Sequence, residues 1–494
     1  MLLDVAALST SVALSPVAEA FSAQEIAVTS ITVVQIQDVS SFLPDTDHDA
    51  GGVLSWISQT ASSLVTAVTP TVSVAVPPVA TVSAAGPAVS SVPSVANPPL
   101  PDAPPLPLVG PEPAASSTDV LYGSRLLEQI SLLPASQVGS FIRSNSDALD
   151  GLIEAPLPAR EITLWWNALT GPSRAALLRE APAVMGNLEG IPYQVRDVAN
   201  RTLLDSTMQE LDQKIARENG RTIVERAQQQ LTMLKSISDA LSTTKSSEAP
   251  RTLLTLDVEG QGRAAIVVGD LATADYISYM VPGMFFTVSG QMTYWTDAAA
   301  RLRDEQLNWL ALFGEPDSGV ATVAWIGYHT PNLTNVGNID SAVEGSHYLA
   351  ETIEGVQASR TADEPYVTVI AHSYGSTAAL IALADDDFSV DALAVVGSPG
   401  SPAQSVKDLH VKNGNVYVGE APFDPVPHTA FFGSDPGAPS YGATLFGTAG
   451  GTDSITGKKL LKSFFHIEYF SPGTESLRNL SLIGIGHGDD ITPG

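Results

Sequence analysis

From residue 248 to the C-terminus, short apolar runs alternate with segments of helical spacing. YISYMV (276–281), ATVAWIGY (321–328), YVTVIA (366–371), DALAVVGS (391–398) and NVYVGEA (415–421) are almost continuously apolar. Strands that are apolar on both faces and separated by helix-length intervals predict a buried, mostly parallel sheet with helical crossovers. RTLLTLDVEGQGRAAIVVGD (251–270) predicts two strands around a Gly-rich turn. Residues 121–247 change period. SRLLEQISLL (124–133) and LPAREITLWWNALTGPSRAALLREAP (157–182) carry apolar positions three and four apart, and Gly171-Pro172 opens a new helix. Trp165 and Trp166 are expected as core anchors. Residues 206–241 read as one long amphipathic helix, with Leu211, Ile215, Ile223, Ala227, Leu234 and Leu241 on one stripe. Residues 1–120 have neither period. Their run VTPTVSVAVPPVATVSAAGPAVSSVPSVANPPLPDAPPLPLVGPEP (68–113) is expected to be a disordered, polyproline-leaning linker. The expected domains are therefore a Pro/Ala-rich N-terminal region (1–120), a helical domain (121–247) and an α/β domain (248–494).

Composition narrows the partners. The net charge is −29, so phosphate backbones and anionic lipid are repelled and nucleic acid is excluded as a partner. There is no cysteine, which removes disulfides, thiolate nucleophiles and Cys-based metal sites. No stretch of eighteen or more residues is apolar enough to span a bilayer, so no integral membrane segment is expected. At the start, Ala18-Glu19-Ala20 fits a cleavage site, but the first cationic residue is Arg125, and a positive n-region is missing.

Three motifs mimic ligand sites. Gly260-x-Gly262-x-x-Ala265 follows the dinucleotide fingerprint, yet a strand follows it and offers no helix N-terminus for a pyrophosphate. GTDSITGKK (451–459) is one residue too long for a phosphate loop and has Lys459 where Ser or Thr belongs. Asp45, Asp47 and Asp49 begin like a calcium loop, but the Gly comes late and Trp56 stands where a bidentate Glu is needed. No cofactor and no metal are expected.

The chemistry gathers at VTVIAHSYGSTAAL (367–380). Ser373 sits between a buried strand and a helix, in Ala371-His372-Ser373-Tyr374-Gly375, a variant of the G-x-S-x-G nucleophile elbow. As a plain helix N-cap it would need no partners; as a nucleophile it needs a general base and an orienting carboxylate. Ser376 reads as a turn into the helix. In this fold the acid and then the His follow the Ser. Asp424, in the Pro-bounded turn after NVYVGEA, is favoured over Glu420, Asp435 and Asp453. His466, among aromatic residues before a helix, is favoured over His428 and His487, with His410 lying before the acid; His372 reads as structural. The oxyanion hole is expected from the N–H of Tyr374, at a helix N-terminus, and of Met284, in the Pro282-Gly283-Met284 turn. Phe285, Phe286, Phe431, Phe464 and Phe465 flank these loops and point to an apolar acyl group.

At these residues the chain resembles the actinobacterial α/β-hydrolase family long catalogued as a domain of unknown function. The resemblance runs through roughly 160–485 and rests on eight segments in the family's order: 165–201, 253–270, YMVPGM (279–284), 321–328, 367–379, AVVGSPG (394–400), 432–446 and HIEYFSPGTESLRNL (466–480). It implies an α/β-hydrolase fold and a serine hydrolase with Ser373, Asp424 and His466 as its triad. Ala371 stands where the family usually has Gly, and His329 where Asp is common. Members often carry a helical segment like the hairpins of type VII secretion substrates, which implies export or an envelope association; the residues themselves leave the destination and oligomeric state open. The expected function is hydrolysis of carboxylic esters, with an apolar or lipid acyl group, through an acyl-enzyme. The rival reading is a non-catalytic binding or envelope-associated protein on the same fold.

Overall fold

A computed structural model describes residues 122–218, 220–242, 249–385 and 388–494. The Pro/Ala-rich region 1–120 and the calcium-like loop at Asp45 lie outside them.

Among the described residues six short helices come first: α1 (Ser124–Leu132), α2 (Ala135–Ser144), α3 (Ser146–Glu154), α4 (Ala159–Ala168), α5 (Gly171–Glu180) and α6 (Pro182–Asn187). Their three-and-four spacing buries Leu126, Ile130, Ile162, Leu177 and Met185 in a core of their own. Trp165 and Trp166 belong to it, and the Trp165 indole N–H donates to the Leu127 carbonyl at 3.0 Å. The long helix expected over 206–241 is two helices, α7 (Tyr193–Arg217) and α8 (Arg221–Leu241). Gly220 is extended, with φ −78 and ψ 112, and stands as the N-cap of α8; glycine loses the most backbone entropy inside a helix, and here it lies outside both. The break turns Ile223 off the expected stripe to 44% exposure. Leu211, Ala227, Leu234 and Leu241 instead pack into one of the two cores of the sheet.

The sheet follows the apolar runs. Its strands are β1 (Arg251–Asp257), β2 (Arg263–Val268), β3 (Tyr276–Val281), β4 (Val320–Ile326), β5 (Tyr366–His372), β6 (Ala392–Val396), β7 (Val416–Gly419) and β8 (Thr444–Phe446). They are ordered β1-β2-β4-β3-β5-β6-β7-β8. β1 and β4 run antiparallel to β2, and every pair from β4 across to β8 is parallel. This is the α/β-hydrolase fold. The 251–270 fingerprint mimic is the β1–β2 hairpin, and 451–460 forms another, β9 (Gly451–Thr452) with β10 (Lys459–Leu460).

Alternation along each strand sends side chains to opposite faces. Ile277, Tyr279 and Val281 of β3 enter one core with α10 (Asp340–Ser359) and α11 (Tyr374–Asp385). Met280 enters the other with α8, α9 (Val288–Phe313) and α12 (Glu475–Ile483). Parallel strands buried on both faces need helices on both sides, and the crossovers supply them. The helical segment is tied to the C-terminal part of α10. Tyr193 and Ser359 share a hydrogen bond at 2.8 Å, and Gly355 leaves room for the Glu189 carboxylate, which pairs with buried Arg196 at 2.5 Å. The N-terminal part of α10 meets the other end of the sheet, where the Ala342 N–H donates to the Tyr374 hydroxyl. These two attachments are about 20–25 Å apart along the helix, at 1.5 Å per residue.

Candidate active site

Between β5 and α11 there is one residue, Ser373. It has φ +54, a left-handed conformation that costs an L-residue with a side chain roughly 1–3 kcal/mol. The surrounding backbone holds it there. Its N–H donates to the Val396 carbonyl at 3.0 Å. The turn is tight on both sides: a Cβ on Gly375 would stand 2.2 Å from the Pro282 carbonyl oxygen. Ala371, two residues earlier, is fully buried, and its methyl fits where the resemblance leads one to expect Gly. The Ser376 hydroxyl is turned away, donating to the Ser373 carbonyl at 2.6 Å.

The structure brings Asp424 and His466 to this turn. His466 Nε2 lies 2.7 Å from Ser373 Oγ, and its Nδ1 lies 2.8 and 2.9 Å from the two carboxylate oxygens of Asp424. A carboxylate accepts only, so Nδ1 carries the proton and Nε2 is left to accept from the Ser373 hydroxyl. Asp424 is itself held. The Val426 N–H donates to Oδ1 at 2.9 Å and the Tyr469 hydroxyl to Oδ2 at 2.6 Å. Burial pushes the Asp424 carboxyl up, but the hydrogen bonds and charge of His466, with those of Tyr469 and Val426, outweigh it and hold the group below its ordinary value. Tyr469 is raised in turn, by burial first and by the Asp424 charge second, so it stays a donor.

His372 has a supporting part. Its Nε2–H donates to the His466 carbonyl at 2.6 Å, tying the His466 loop to β5. Burial, with the charge of His466, pushes its imidazole down to about 3, so it is neutral. Gly397, at the end of β6, was not singled out from the sequence. It has φ +59, and a Cβ there would stand 2.8 Å from Asp424 Oδ2 and 2.9 Å from His466 Nδ1. Its only sequence signal is its place at a strand end in GSPG. A Gly397→Ala protein is expected to lose about 10²-fold in kcat for any substrate the site turns over, since a displacement of about 1 Å at such a site costs that much. Steady-state kinetics beside a thermal melt would separate this from unfolding.

The Pro282-Gly283-Met284 turn runs directly against the serine. A Cβ on Gly283 would sit 2.6 Å from Ser373 Cβ, and the Tyr328 hydroxyl donates to the Pro282 carbonyl at 2.7 Å. Among the described residues, neither the Met284 nor the Tyr374 N–H is taken up by another group. Tyr374 opens α11, where the helix dipole favours negative charge.

The rival residues are occupied elsewhere. Asp453 pairs with Arg478 at 2.7 Å, and His487 meets Asp490 and stacks on Phe313. Glu420, His428 and Asp435 stand together, their nearest donor atoms all within 4.8 Å of one another. Both His428 nitrogens already face carboxylates, Glu420 at 3.4 Å and Asp435 at 3.2 Å. The Asp435 hydrogen bond, followed by the Glu420 charge, raises the His428 imidazole, as suits an ion-pair network. His329 faces Glu344 at 3.0 Å.

Residues 257–434 match the model of an alpha/beta hydrolase family. The chain is similar to the uncharacterized protein Rv2079 of Mycobacterium tuberculosis, 27% identical over 391 residues, which are 69% of this chain and 58% of that protein. The chain thus spans little more than half of that relative's length. It is also similar to the uncharacterized protein Rv0963c of the same species, 27% identical over 206 residues, 40% of this chain and 77% of that one. Among solved structures, an S-formylglutathione hydrolase from Agrobacterium tumefaciens aligns at a TM-score of 0.30 and 11% identity, covering 51% of this chain and 99% of that one. An esterase from Pyrobaculum calidifontis aligns at a TM-score of 0.26 and 12% identity, covering 58% and 97%. The matched segment and the mycobacterial relatives fit an actinobacterial α/β-hydrolase family.

Proposed function

We propose that this α/β-hydrolase is a serine hydrolase of carboxylic esters. One observation carries the reading: the unbroken hydrogen-bonded chain from the Asp424 carboxylate through His466 to Ser373 Oγ, with Ser373 held at φ +54 on the turn after β5. Ser373 Oγ attacks the ester carbonyl carbon while His466 Nε2 takes its proton. The Met284 and Tyr374 N–H groups receive the charge that develops on the carbonyl oxygen, each donor contributing on the order of 10²–10³ in rate. His466 returns the proton to the departing alkoxide, which leaves as the alcohol, and Ser373 keeps the acyl group. Water then attacks the acyl carbon, giving its proton to His466; the acid leaves and the proton returns to Ser373 Oγ. Asp424 stays ionised and holds His466 in the tautomer these steps require. Phe431 and Phe465, exposed on the loops around the site, favour an apolar acyl group.

A fluorophosphonate probe, which reacts only with an activated serine, tests the reading directly. The wild-type protein is expected to be labelled, and the Ser373→Ala and His466→Ala proteins are expected to remain unlabelled. A folded wild-type protein that takes no label, even after long exposure at high probe concentration, would leave a non-catalytic binding protein on this fold.

A further inference from the structure

Among the described residues three phenylalanines are exposed, Phe423 at 58%, Phe431 at 52% and Phe465 at 48%, and all three stand on the loops around Ser373. Phe423 precedes Asp424 and Phe465 precedes His466. Phe464 joins them into one patch, stacked on Phe423 with ring centres 4.5 Å apart and meeting Phe465 edge-on at 4.7 Å. The turn that projects them is fixed: Glu468 Oε2 accepts from the Phe464 N–H at 2.6 Å and the Phe465 N–H at 3.3 Å. On the Tyr374 side, Phe431 packs edge-on against Phe432, which meets the Tyr374 ring in the same way. Leu333, from the loop after β4, is 45% exposed. The Lys462 ammonium lies 4.0 Å over the Phe464 ring.

We propose that this apolar rim seats the protein on an uncharged or zwitterionic lipid–water interface, from which the ester enters the site; the inference rests on the ester-hydrolase reading. Water exposure of large rings on the loops around a nucleophile is unfavourable, and patches of this kind mark contact surfaces. Aromatic rings settle at the headgroup level of a bilayer. Charge selects among lipid surfaces. A chain of net charge −29 is repelled by the negative potential of an anionic leaflet, whereas an uncharged or zwitterionic surface carries no such penalty. Phe423 and Phe465 adjoin Asp424 and His466 on the loops that meet Ser373, so docking would bring the ester layer to the loops that carry the site.

Flotation with phosphatidylcholine vesicles tests this on the Ser373→Ala protein, in which turnover cannot interfere. The protein is expected to float with the vesicles. Including about 30 mol% phosphatidylglycerol should lower the bound fraction at low salt, and the loss should fade as salt screens the charge. The Leu333→Ser/Phe423→Ser pair, on two separate exposed loops, should reduce the bound fraction about ten-fold. In a protein with Ser373 intact, the same pair should leave turnover of dissolved p-nitrophenyl acetate unchanged. Hydrolysis of a long-chain ester carried in the vesicles should fall about ten-fold. Protein that stays below the vesicles, or binding that phosphatidylglycerol strengthens, overturns the proposal. A concentration-dependent dimer that the double change dissolves, with no vesicle binding, also overturns it and makes the rim a self-association face. Failure of the ester reading shows separately, as absent p-nitrophenyl acetate turnover, and leaves the flotation result standing.

Discussion

Replacing Ser373 or His466 by Ala is expected to lower kcat for a p-nitrophenyl ester by on the order of 10⁶-fold, and the double variant to lose no more than either single one. The reason is geometric. A serine hydroxyl is a weak nucleophile at neutral pH, and in the proposed mechanism the 2.7 Å contact to His466 Nε2 lets its proton leave as the carbon–oxygen bond forms. Either change breaks the same step, so the second has nothing left to remove. Single-turnover kinetics on the three proteins would read this, and losses that multiply would mean the two residues act independently. Ser373 offers a second readout. Its side chain sits at φ +54, and Ser373→Gly relieves that strain while Ser373→Ala keeps it. The glycine protein should be inactive yet more stable than the alanine protein by about 1 kcal/mol in denaturant unfolding.

Asp424→Asn is expected to cost about 10⁴-fold in kcat with the fold retained. Both carboxylate oxygens accept: Oδ1 from the Val426 N–H and Oδ2 from the Tyr469 hydroxyl, and both from His466 Nδ1. An asparagine must replace one oxygen by an NH2. At Oδ1 it would confront a backbone N–H that cannot turn away. At Oδ2 it meets a hydroxyl that can rotate and accept, so the NH2 settles there, facing His466 Nδ1. An N–H donor then stands at the nearer of the two Nδ1 contacts, which favours the tautomer that accepts there and carries its proton on Nε2, where it blocks transfer from Ser373. The pH dependence of stability has a definite sign. The Asp424 carboxyl is held below its unfolded value in the native protein, so its contribution is present above the unfolded pKa and is lost as pH falls through the folded one. Wild type should therefore lose stability on acidification through and below the ordinary carboxylate range. Asp424→Asn, with no proton to take up there, should lose less across the same window. Denaturant titrations at stepped pH would show the two curves converging; parallel curves would mean that Asp424 is not held as an ion.

What the chain makes legible and what it hides divide along physical lines. The strands could be read because residues buried on both faces must be apolar throughout, as in β5, and that pattern needs no partner to be seen. The elbow could be read because Ser373 follows such a strand at once and a helix follows Ser373. The helix break at Gly220 was missed because apolar spacing continues on both sides of it. Spacing reports which face is apolar and says little about whether the backbone is continuous.

The sequence by itself determined the sheet, the strand that carries Ser373 and the chain order that made Asp424 and His466 candidates. The first two rest on local pattern, and the third on the chain order that goes with such a sheet and elbow. Only the tertiary structure decided that Asp424 and His466, forty-two residues apart, share a hydrogen bond, and that Glu420 and Asp435 are engaged with His428 instead. It also revealed Tyr469 holding the carboxylate and Gly397 leaving space for it. A side chain's partner depends on where loops from separate strands converge. The absence of a side chain at residue 397 becomes informative only once the atoms that would collide with it are in place.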